Sequence, residues 1–356
     1  MNFAAFLCVI WLTLQQKKMA TDAFISHARC HRTSHLLVRR TNHVLPLVGR
    51  VEGVDYVIED AGNESEEAED DDETDMSNAD LLEVATHERE LLATARAKLK
   101  SIDLKAPPSG YAETLATDGV VRINQCIPPD QCALLATHIT HQLDLAIAQV
   151  DRGELDALDR FSSLLSSSNR YDFKLPMDDT ISACLKGLFR KGGALGTTLS
   201  TTIGDKAELF ELAAFVTLPG ADRQVVHGDT LFTKEAVLFT VALALQDVTE
   251  DMGPTLFFPE THTSKMHRLF DNEKTKDALL LKTPHKLSLL STGDIHVYDS
   301  RCLHCGTENL SARPRILFYA TFRNPKAGSK QGEDFWNVAS IRSEYAGQYT
   351  LKQFMS

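Results

Sequence analysis

Cysteine is scarce and scattered in this chain. Seven residues (Cys8, Cys30, Cys126, Cys132, Cys184, Cys302 and Cys305) among 356 are too few for a disulfide framework. Cys302-Leu303-His304-Cys305 looks like half of a zinc knuckle, but no second Cys-x-x-Cys completes it, which argues against structural zinc. Long apolar runs are lacking too. Phe3 to Leu14 holds only 12 residues, short for a bilayer span and suited to the h-region of a signal peptide. A basic excess is also missing: the formal charge is -12, so no nucleic-acid partner is implied. That negative charge is local. Residues 52–80 carry 14 acids and no Lys or Arg, and without them the chain would stand at +2. Such a run repels itself and has little to bury, so 51–80 is predicted to be a disordered linker, with a docking tail as its alternative role.

The N-terminal 50 residues have a different bias. From Met19 to Arg50 the chain has Arg29, Arg32, Arg39, Arg40 and Arg50, several hydroxyl residues, and Asp22 as its only acid. This composition resembles a transit peptide, so 1–50 is expected to be a targeting leader to a plastid or mitochondrion. Met19 as the start of a simple transit peptide competes with Met1 as the start of a two-part signal, for which Phe24 would suit the junction. A misplaced gene start before a disordered leader would instead leave the protein in the cytoplasm. The C-terminal Gln353-Phe354-Met355-Ser356 is not a peroxisomal tripeptide.

Hydrophobic spacing divides the remainder. Ala79 to Leu99 carries Leu81, Leu82, Val84, Ala85, Leu91, Leu92 and Leu99 in a helical stripe, with Asp80 placed to cap it. Gly119 to Asn124 reads as a short strand. Pro128-Pro129-Asp130 opens a long helix over Cys132 to Val150, and Asp178 to Phe189 reads as another. From about residue 208 the pattern changes to short runs of Val, Leu, Ile, Phe and Thr: Phe210–Leu218, Ala236–Leu245, Thr255–Phe258, Leu287–Leu290, Ile295–Tyr298 and Ile316–Arg323. Pro219-Gly220, Met252-Gly253-Pro254, Thr292-Gly293-Asp294 and Arg313-Pro314 separate them as turns. Helices followed by many short strands predict a mainly β fold with N-terminal helices: a double-stranded β-helix (jelly-roll, cupin-like) core with helices packed on it. The expected boundaries are one domain over 81–330, with helices at 81–190 and the jelly-roll core at about 208–325, and a tail over 331–356. The segments 154–206 and 260–286 are expected to cover the substrate.

Chemistry concentrates at His227, Asp229, His304 and Arg315. Two imidazoles and a carboxylate are the facial triad that holds non-haem Fe(II) with coordination positions left open. The triplet His227-Gly228-Asp229 alone carries no weight, because 13 His and 28 Asp yield about one such triplet by chance. Its bland reading is a histidine at a strand start and an aspartate in the next turn. Order and context add what the triplet lacks. Gly228 allows close backbone approach between the ligands. His304 follows the strand Gly293 to Tyr298 by 77 residues from His227, and Arg315 lies eleven residues beyond it. His262 and His267 flank an expected loop, His285 follows a proline, and His296 is expected to alternate outward on its strand.

Residues from about 110 to 325 resemble the phytanoyl-CoA dioxygenase family of Fe(II)/2-oxoglutarate-dependent oxygenases. The matching pieces are Pro219-Gly220, Gln224 with His227 and Asp229, Gly253-Pro254-Thr255-Leu256-Phe257-Phe258-Pro259-Glu260-Thr261-His262, Gly293-Asp294, and His304 with Asn309, Ser311 and Arg315. The resemblance implies that His227, Asp229 and His304 bind iron and that Arg315 grips the distal carboxylate of 2-oxoglutarate. Thr307 is a candidate second contact to it. Arg313 rivals Arg315, but precedes a proline and would face the other way on one strand. Glu260 stands where the family usually has glycine, and Cys305 beside a ligand is an oxidation liability. The implied reaction uses O2 and 2-oxoglutarate to hydroxylate a C–H bond of a small-molecule or acyl substrate, releasing succinate and CO2. Asp229 favours hydroxylation, since related halogenases leave that position small. A catalytically silent 2-oxoglutarate- and metal-binding regulator of the same fold is the alternative.

Overall fold

The computed structural model describes residues 78–96, 103–162, 169–327 and 339–355, all in one compact unit. In chain order the elements begin with helices α1 (Asn78–Arg96) and α2 (Tyr111–Asp118), strand β1 (Val120–Ile123) and helix α3 (Pro129–Asp151). Strand β2 (Arg170–Lys174) and helices α4 (Asp179–Phe189) and α5 (Ala194–Ile203) come next, then strands β3 (Glu208–Thr217), β4 (Leu238–Ala244) and β5 (Thr255–Phe257). Helices α6 (Ser264–Phe270) and α7 (Glu273–Lys282) follow, then β6 (Lys286–Leu287), β7 (Ile295–Asp299), β8 (His304–Gly306), β9 (Arg315–Arg323) and the short α8 (Leu351–Phe354). Local chemistry sets the helix starts. Pro129 is at the first position of α3, where its missing N–H costs nothing. The Asp178 carboxylate caps α4 by accepting from the Ile181 N–H at 3.0 Å. None of the described helices is long and apolar enough to cross a membrane.

The strands form two antiparallel sheets, one of six in the order β1-β7-β4-β9-β3-β2 and one of three in the order β6-β5-β8. Residues two apart on a strand share a face, and the two faces of the large sheet differ in chemistry. Leu212, Ala214, Val216, Phe239, Val241, Leu243, Phe318, Ala320 and Phe322 point one way, into a core shared with Leu185, Phe189, Leu199 and Ile203 of α4 and α5. The Phe189 and Phe322 rings meet edge to face at 5.0 Å. Each fully buried phenylalanine there contributes about 1.5–3 kcal/mol. The other face carries Glu211 and Thr217 on β3, Arg170 and Asp172 on β2, Arg315, Tyr319 and Thr321 on β9, and His296 and Tyr298 on β7. All of these but Glu211 and Tyr319, which are half-buried, are buried, so this polar face is turned inward.

Several expected elements are present within a few residues, while the balance differs. The architecture is mixed, with more described residues in helices than in strands, rather than mainly β. The segments expected to cover the substrate hold strand β2 and helix α5 beside the expected helix α4 in 154–206, and helices α6 and α7 in 260–286. Helix α1 matches its stripe, with Ala85 and Leu92 buried, but Glu88 is also buried in its middle. Glu88 accepts the Val226 N–H at 2.7 Å and pairs with Lys276 of α7 at 2.8 Å. Glu260 adopts φ 67°, so this residue keeps a left-handed conformation that glycine takes without strain. The leader at 1–50 and nearly all of the acidic run lie outside the described residues, as does 328–338.

Gly293 has a strict backbone role. Its φ is +89°, and a Cβ there would lie 2.1 Å from the Ile127 carbonyl oxygen. The turn it makes aims Asp294 at Arg122 Nη2 (2.7 Å) and the Gln125 N–H (2.8 Å), tying β7 to the β1 end. Gly293→Ala is therefore expected to destabilise the fold by at least about 1–3 kcal/mol, the usual cost of a strained backbone residue. Chemical denaturation reads this directly, and an unchanged midpoint would show that the turn relaxes freely.

Candidate metal centre

His227 and His304 sit opposite each other in an isolated antiparallel bridge at the edge of β8. Each backbone N–H donates to the other's carbonyl, at 2.9 and 2.8 Å. Directly opposed residues project to the same side, and the ring centroids are 4.6 Å apart. Both rings are oriented by their Nδ1 atoms. The Nδ1–H of His227 donates to the Val225 carbonyl at 2.8 Å, and that of His304 to the Cys302 carbonyl at 2.9 Å. A carbonyl can only accept, so the Nδ1 atoms carry the protons and the Nε2 lone pairs are free for a ligand bond.

Asp229 completes the cluster from the loop after His227. Its backbone N–H donates to the Ser300 carbonyl at 2.8 Å, and the neighbouring Thr230 and Ser300 hydroxyls meet at 2.8 Å. Oδ1 of Asp229 lies 3.7 Å from His227 Nε2 and 3.4 Å from His304 Nε2. One ligand atom from each residue falls within 4.8 Å of the others. A transition metal with bonds of about 2.0–2.2 Å needs adjacent ligands roughly 3 Å apart, so small side-chain movements suffice. A Cβ at Gly228 would meet the Ser300 and Thr230 carbonyls at 3.4 Å. That is tight but ordinary contact, so the triplet's glycine is less constrained than its spacing implies.

The charges fit a cation. Burial, reinforced by His304, pushes the His227 imidazole down to about 4 and keeps it neutral. Burial also opposes charge on His304, but Asp229 outweighs it through attraction and a hydrogen bond, and the value rises. Burial works against the Asp229 anion as well, yet His304 and then His227 and Tyr298 hold its carboxyl below the usual range. The Asp229 side chain keeps 32 % of its surface open, so this anion faces accessible space rather than packed protein. A neutral imidazole, a second one beside the anion, and a hard oxygen donor make a donor set suited to Fe(II).

Arg315 opens β9 and is 1 % exposed. Its Nη1 donates to the Gly253 carbonyl, its Nη2 donates to Thr217 Oγ1 at 2.9 Å, and its Nε has no partner. Gly253 holds φ +72°, and a Cβ there would press on the Thr307 carbonyl at 2.8 Å. Asn309 secures the turn before β9, its amide donating to the Thr217 and Arg313 carbonyls at 2.9 Å each while its oxygen accepts from Ser311. Arg313 itself is exposed in that turn, with Nη2 beside Met252 Sδ at 3.6 Å.

Arg170 was not singled out by the sequence. Thr217 pairs in register with both Arg170 and Arg315, so the three stand in one row across β2, β3 and β9. Arg170 donates to the Asp222 and Thr307 carbonyls and its Nε is also unpartnered. Burial lowers the Arg315 guanidinium to about 9, and Arg170 adds repulsion. Among the described residues no carboxylate forms an ion pair with either arginine. Asp222 and Glu308 lie near enough to favour the Arg170 charge, whereas Arg315 feels only burial and the repulsion of Arg170, so the buried Arg315 cation calls for an anionic ligand.

Three further expectations meet the structure here. Thr307 donates its hydroxyl proton to the Pro254 carbonyl at 2.8 Å, so it has none to give a carboxylate. His296, expected to point outward, is buried on the same face as Tyr298, with Nδ1 2.8 Å from Ser288 Oγ. Cys305 alternates away from His304 into the cluster of Leu92, Val226 and Leu256, where it is fully buried. Burial raises its thiol despite Arg223, which disfavours the reactive thiolate.

Residues 115–317, more than half of the chain and all four of these positions, match the phytanoyl-CoA dioxygenase family. The chain belongs to that family. Its members are oxygenases dependent on iron and 2-oxoglutarate. Helix α1 precedes the matched stretch. Similar solved structures include the epimerase SnoN from nogalamycin biosynthesis, 17 % identical over 60 % of this chain and 79 % of that one, with a TM-score of 0.45. AviO1 from Streptomyces viridochromogenes is 16 % identical over 63 % and 98 % of the two chains, at 0.46. A Pseudomonas putida prolyl-4-hydroxylase is 17 % identical over 60 % and 97 %, at 0.40. No curated protein matches this chain.

Proposed function

We propose that this member of the phytanoyl-CoA dioxygenase family is an Fe(II)- and 2-oxoglutarate-dependent dioxygenase that hydroxylates a C–H bond of a small-molecule or acyl substrate. The observation that carries this reading is the His227, Asp229 and His304 cluster on one sheet edge, with the buried Arg315 guanidinium, whose Nε has no partner, on the inward polar face of the large sheet. In this reading the two sheets form a double-stranded β-helix core. His227 Nε2, one Asp229 oxygen and His304 Nε2 hold the metal and leave its other positions open. Iron, 2-oxoglutarate and O2 together supply the oxidant for C–H cleavage, with succinate and CO2 as co-products. Arg315 binds the distal carboxylate of 2-oxoglutarate, which replaces the missing counter-ion in a buried setting. The Val225 and Cys302 carbonyls keep both imidazoles in the ligating tautomer. The apolar walls around Phe257 and Tyr298 limit water at the His304 side.

Fe(II)- and 2-oxoglutarate-dependent release of succinate tests the proposal. No succinate with any substrate mixture, together with retained 2-oxoglutarate binding, would leave the silent regulator as the better reading. Untargeted metabolite profiling of a knockout addresses the substrate. Metal affinity has a predictable pH dependence. Metal and protons compete for His304 Nε2, whose pKa is raised, so affinity should begin to fall at a higher pH than for an ordinary histidine pair. Calorimetric titration of Mn(II) across pH 5.5–8 reads this (roughly the window where histidine titrates), and an affinity flat over that range would contradict the assignment.

A further inference from the structure

The two imidazoles of the metal cluster are oriented in the same way, and each arrangement has a further layer behind it. The Nδ1–H of His227 donates to the Val225 carbonyl at 2.8 Å. The N–H of that same peptide unit, which belongs to Val226, donates to Glu88 Oε2 at 2.7 Å. On the other side, the Nδ1–H of His304 donates to the Cys302 carbonyl at 2.9 Å. The N–H of that peptide unit, which belongs to Leu303, donates to Thr261 Oγ1 at 2.9 Å. Thr261 is fully buried and gives its own hydroxyl proton to the Phe258 carbonyl at 2.5 Å, so its oxygen faces Leu303 as an acceptor. Glu88 is 1 % exposed. A peptide unit held at both ends cannot turn without breaking a buried hydrogen bond, and a buried polar group left unpaired is unfavourable. Each carbonyl therefore stays aimed at its Nδ1, and each Nε2 stays turned toward Asp229.

The two grips differ in charge and in origin. Thr261 offers a neutral hydroxyl just beyond the turn after β5, inside the stretch 115–317 that matches the family. Glu88 offers a carboxylate from α1, which precedes that stretch. A carboxylate acceptor polarises the peptide, so its carbonyl becomes a stronger acceptor for the imidazole N–H. The imidazole in turn becomes a better metal ligand at Nε2. Helix α1 is built to deliver this group. Its buried face runs through Ala85, Glu88, Leu92 and Ala95, so Glu88 stands where the helical period calls for an apolar residue. Leu92 packs in one cluster with Val226 and Leu303, which seats the helix against both histidine-bearing segments. Lys276 of α7 supplies the opposite charge 2.8 Å from Glu88 Oε1, leaving Oε2 to the Val226 N–H. Satisfying one backbone N–H does not require so much, because burying an ionised group is unfavourable even when it is paired.

We propose that Glu88 is a positioning residue for His227, acting through the Val225–Val226 peptide as Thr261 acts on His304 through the Cys302–Leu303 peptide. Helix α1, outside the family-matched stretch, then completes the metal site. The assignment of His227 and His304 as metal ligands is the reading on which this rests.

Proton NMR of the full-length protein loaded with Co(II) tests the proposal. Ring N–H protons of histidines bound to Co(II) resonate far outside the ordinary range and vanish in D2O, so the wild type should show one such signal for each ligand histidine. E88Q keeps an oxygen for the Val226 N–H but loses the charge. It should move the His227 signal and leave that of His304 in place, whereas T261V should do the reverse. E88L should move the His227 signal further and bind Co(II) about 10-fold more weakly than the wild type, with E88Q recovering part of that loss. E88Q carries the test if E88L fails to fold. L92A is the control, since it loosens the seating of the same helix and keeps the carboxylate. It should lower the midpoint of chemical denaturation and leave both signals where they are. Both signals moving together in E88Q, or L92A reproducing the E88Q pattern, would mean that Glu88 only docks the helix, and the proposal would be overturned. Signals indifferent to E88Q would overturn it too, with the metal site left standing. A wild type without exchangeable shifted signals would remove the ligand assignment itself, and the proposal with it.

Discussion

Asp229→Ala should abolish succinate release and lower divalent-metal affinity by more than about 100-fold, beyond the largest losses typical of outer-shell partners. Asp229 is the only anion in the ligand cluster, so its loss leaves two imidazoles in bridged backbone positions and no hard oxygen donor. The fold should survive. The Asp229 charge contributes to the raised carboxyls of both Asp172 and Glu211, and its removal relieves that repulsion. His304 should also lose its raised pKa, because Asp229 is what lifts it against burial. The variant therefore separates a site defect from a folding defect when circular dichroism and thermal unfolding are measured beside Mn(II) binding. Succinate release at the wild-type rate from a well-folded Asp229→Ala protein would remove the metal assignment altogether.

How much of this site the sequence discloses depends on what each residue faces. Short runs of β-branched, aromatic and apolar residues between Gly- and Pro-containing turns make β3, β4, β7 and β9 legible, and their apolar side chains pack against helices α4 and α5. The metal cluster is legible because its members come from motifs with turns on either side, and the bridge between His227 and His304 realises that order. The polar strand faces are another matter. Arg170-Tyr171-Asp172-Phe173-Lys174 alternates like a strand with one face in water, and His296 beside Val297 reads the same way. In the folded chain those polar residues point inward, at the site. Alternation gives the period of a strand and cannot say which face meets solvent when the interior is itself polar. Arg170 and His296 were missed or misdirected for that single reason. Glu88 in α1 escaped for a related one, since a buried acid within an apolar stripe needs Lys276 and the Val226 N–H, both far away in sequence.

Arg315→Leu carries the second large effect, a rise in the KM for 2-oxoglutarate. Removing one partner of a buried, hydrogen-bonded charge pair costs about 2–5 kcal/mol, or roughly 30- to 4,000-fold in binding. Arg315→Lys should recover only part of this, because an ammonium cannot offer the planar fork and the remaining bonds to Gly253 and Thr217 depend on two separate nitrogens. Structural damage could imitate the loss, since Arg315 also ties β9 to β3 and to the Gly253 turn. A co-substrate analogue separates the two causes. 2-Oxobutanoate keeps the 2-oxo acid end and lacks the distal carboxylate, so the wild type should bind it weakly and Arg315→Leu should bind it about equally weakly. The loss on mutation would then appear for 2-oxoglutarate and vanish for the analogue, which is the coupling expected of a direct pair. Arg170 sharpens the outcome. It stands in the same row two strands away and stays charged in the variant, so general attraction for anions persists and only the bidentate contact is removed. Equal losses for both compounds would mean that Arg315 shapes the barrel mouth without touching the carboxylate, and the dicarboxylate assignment would have to move to Arg170.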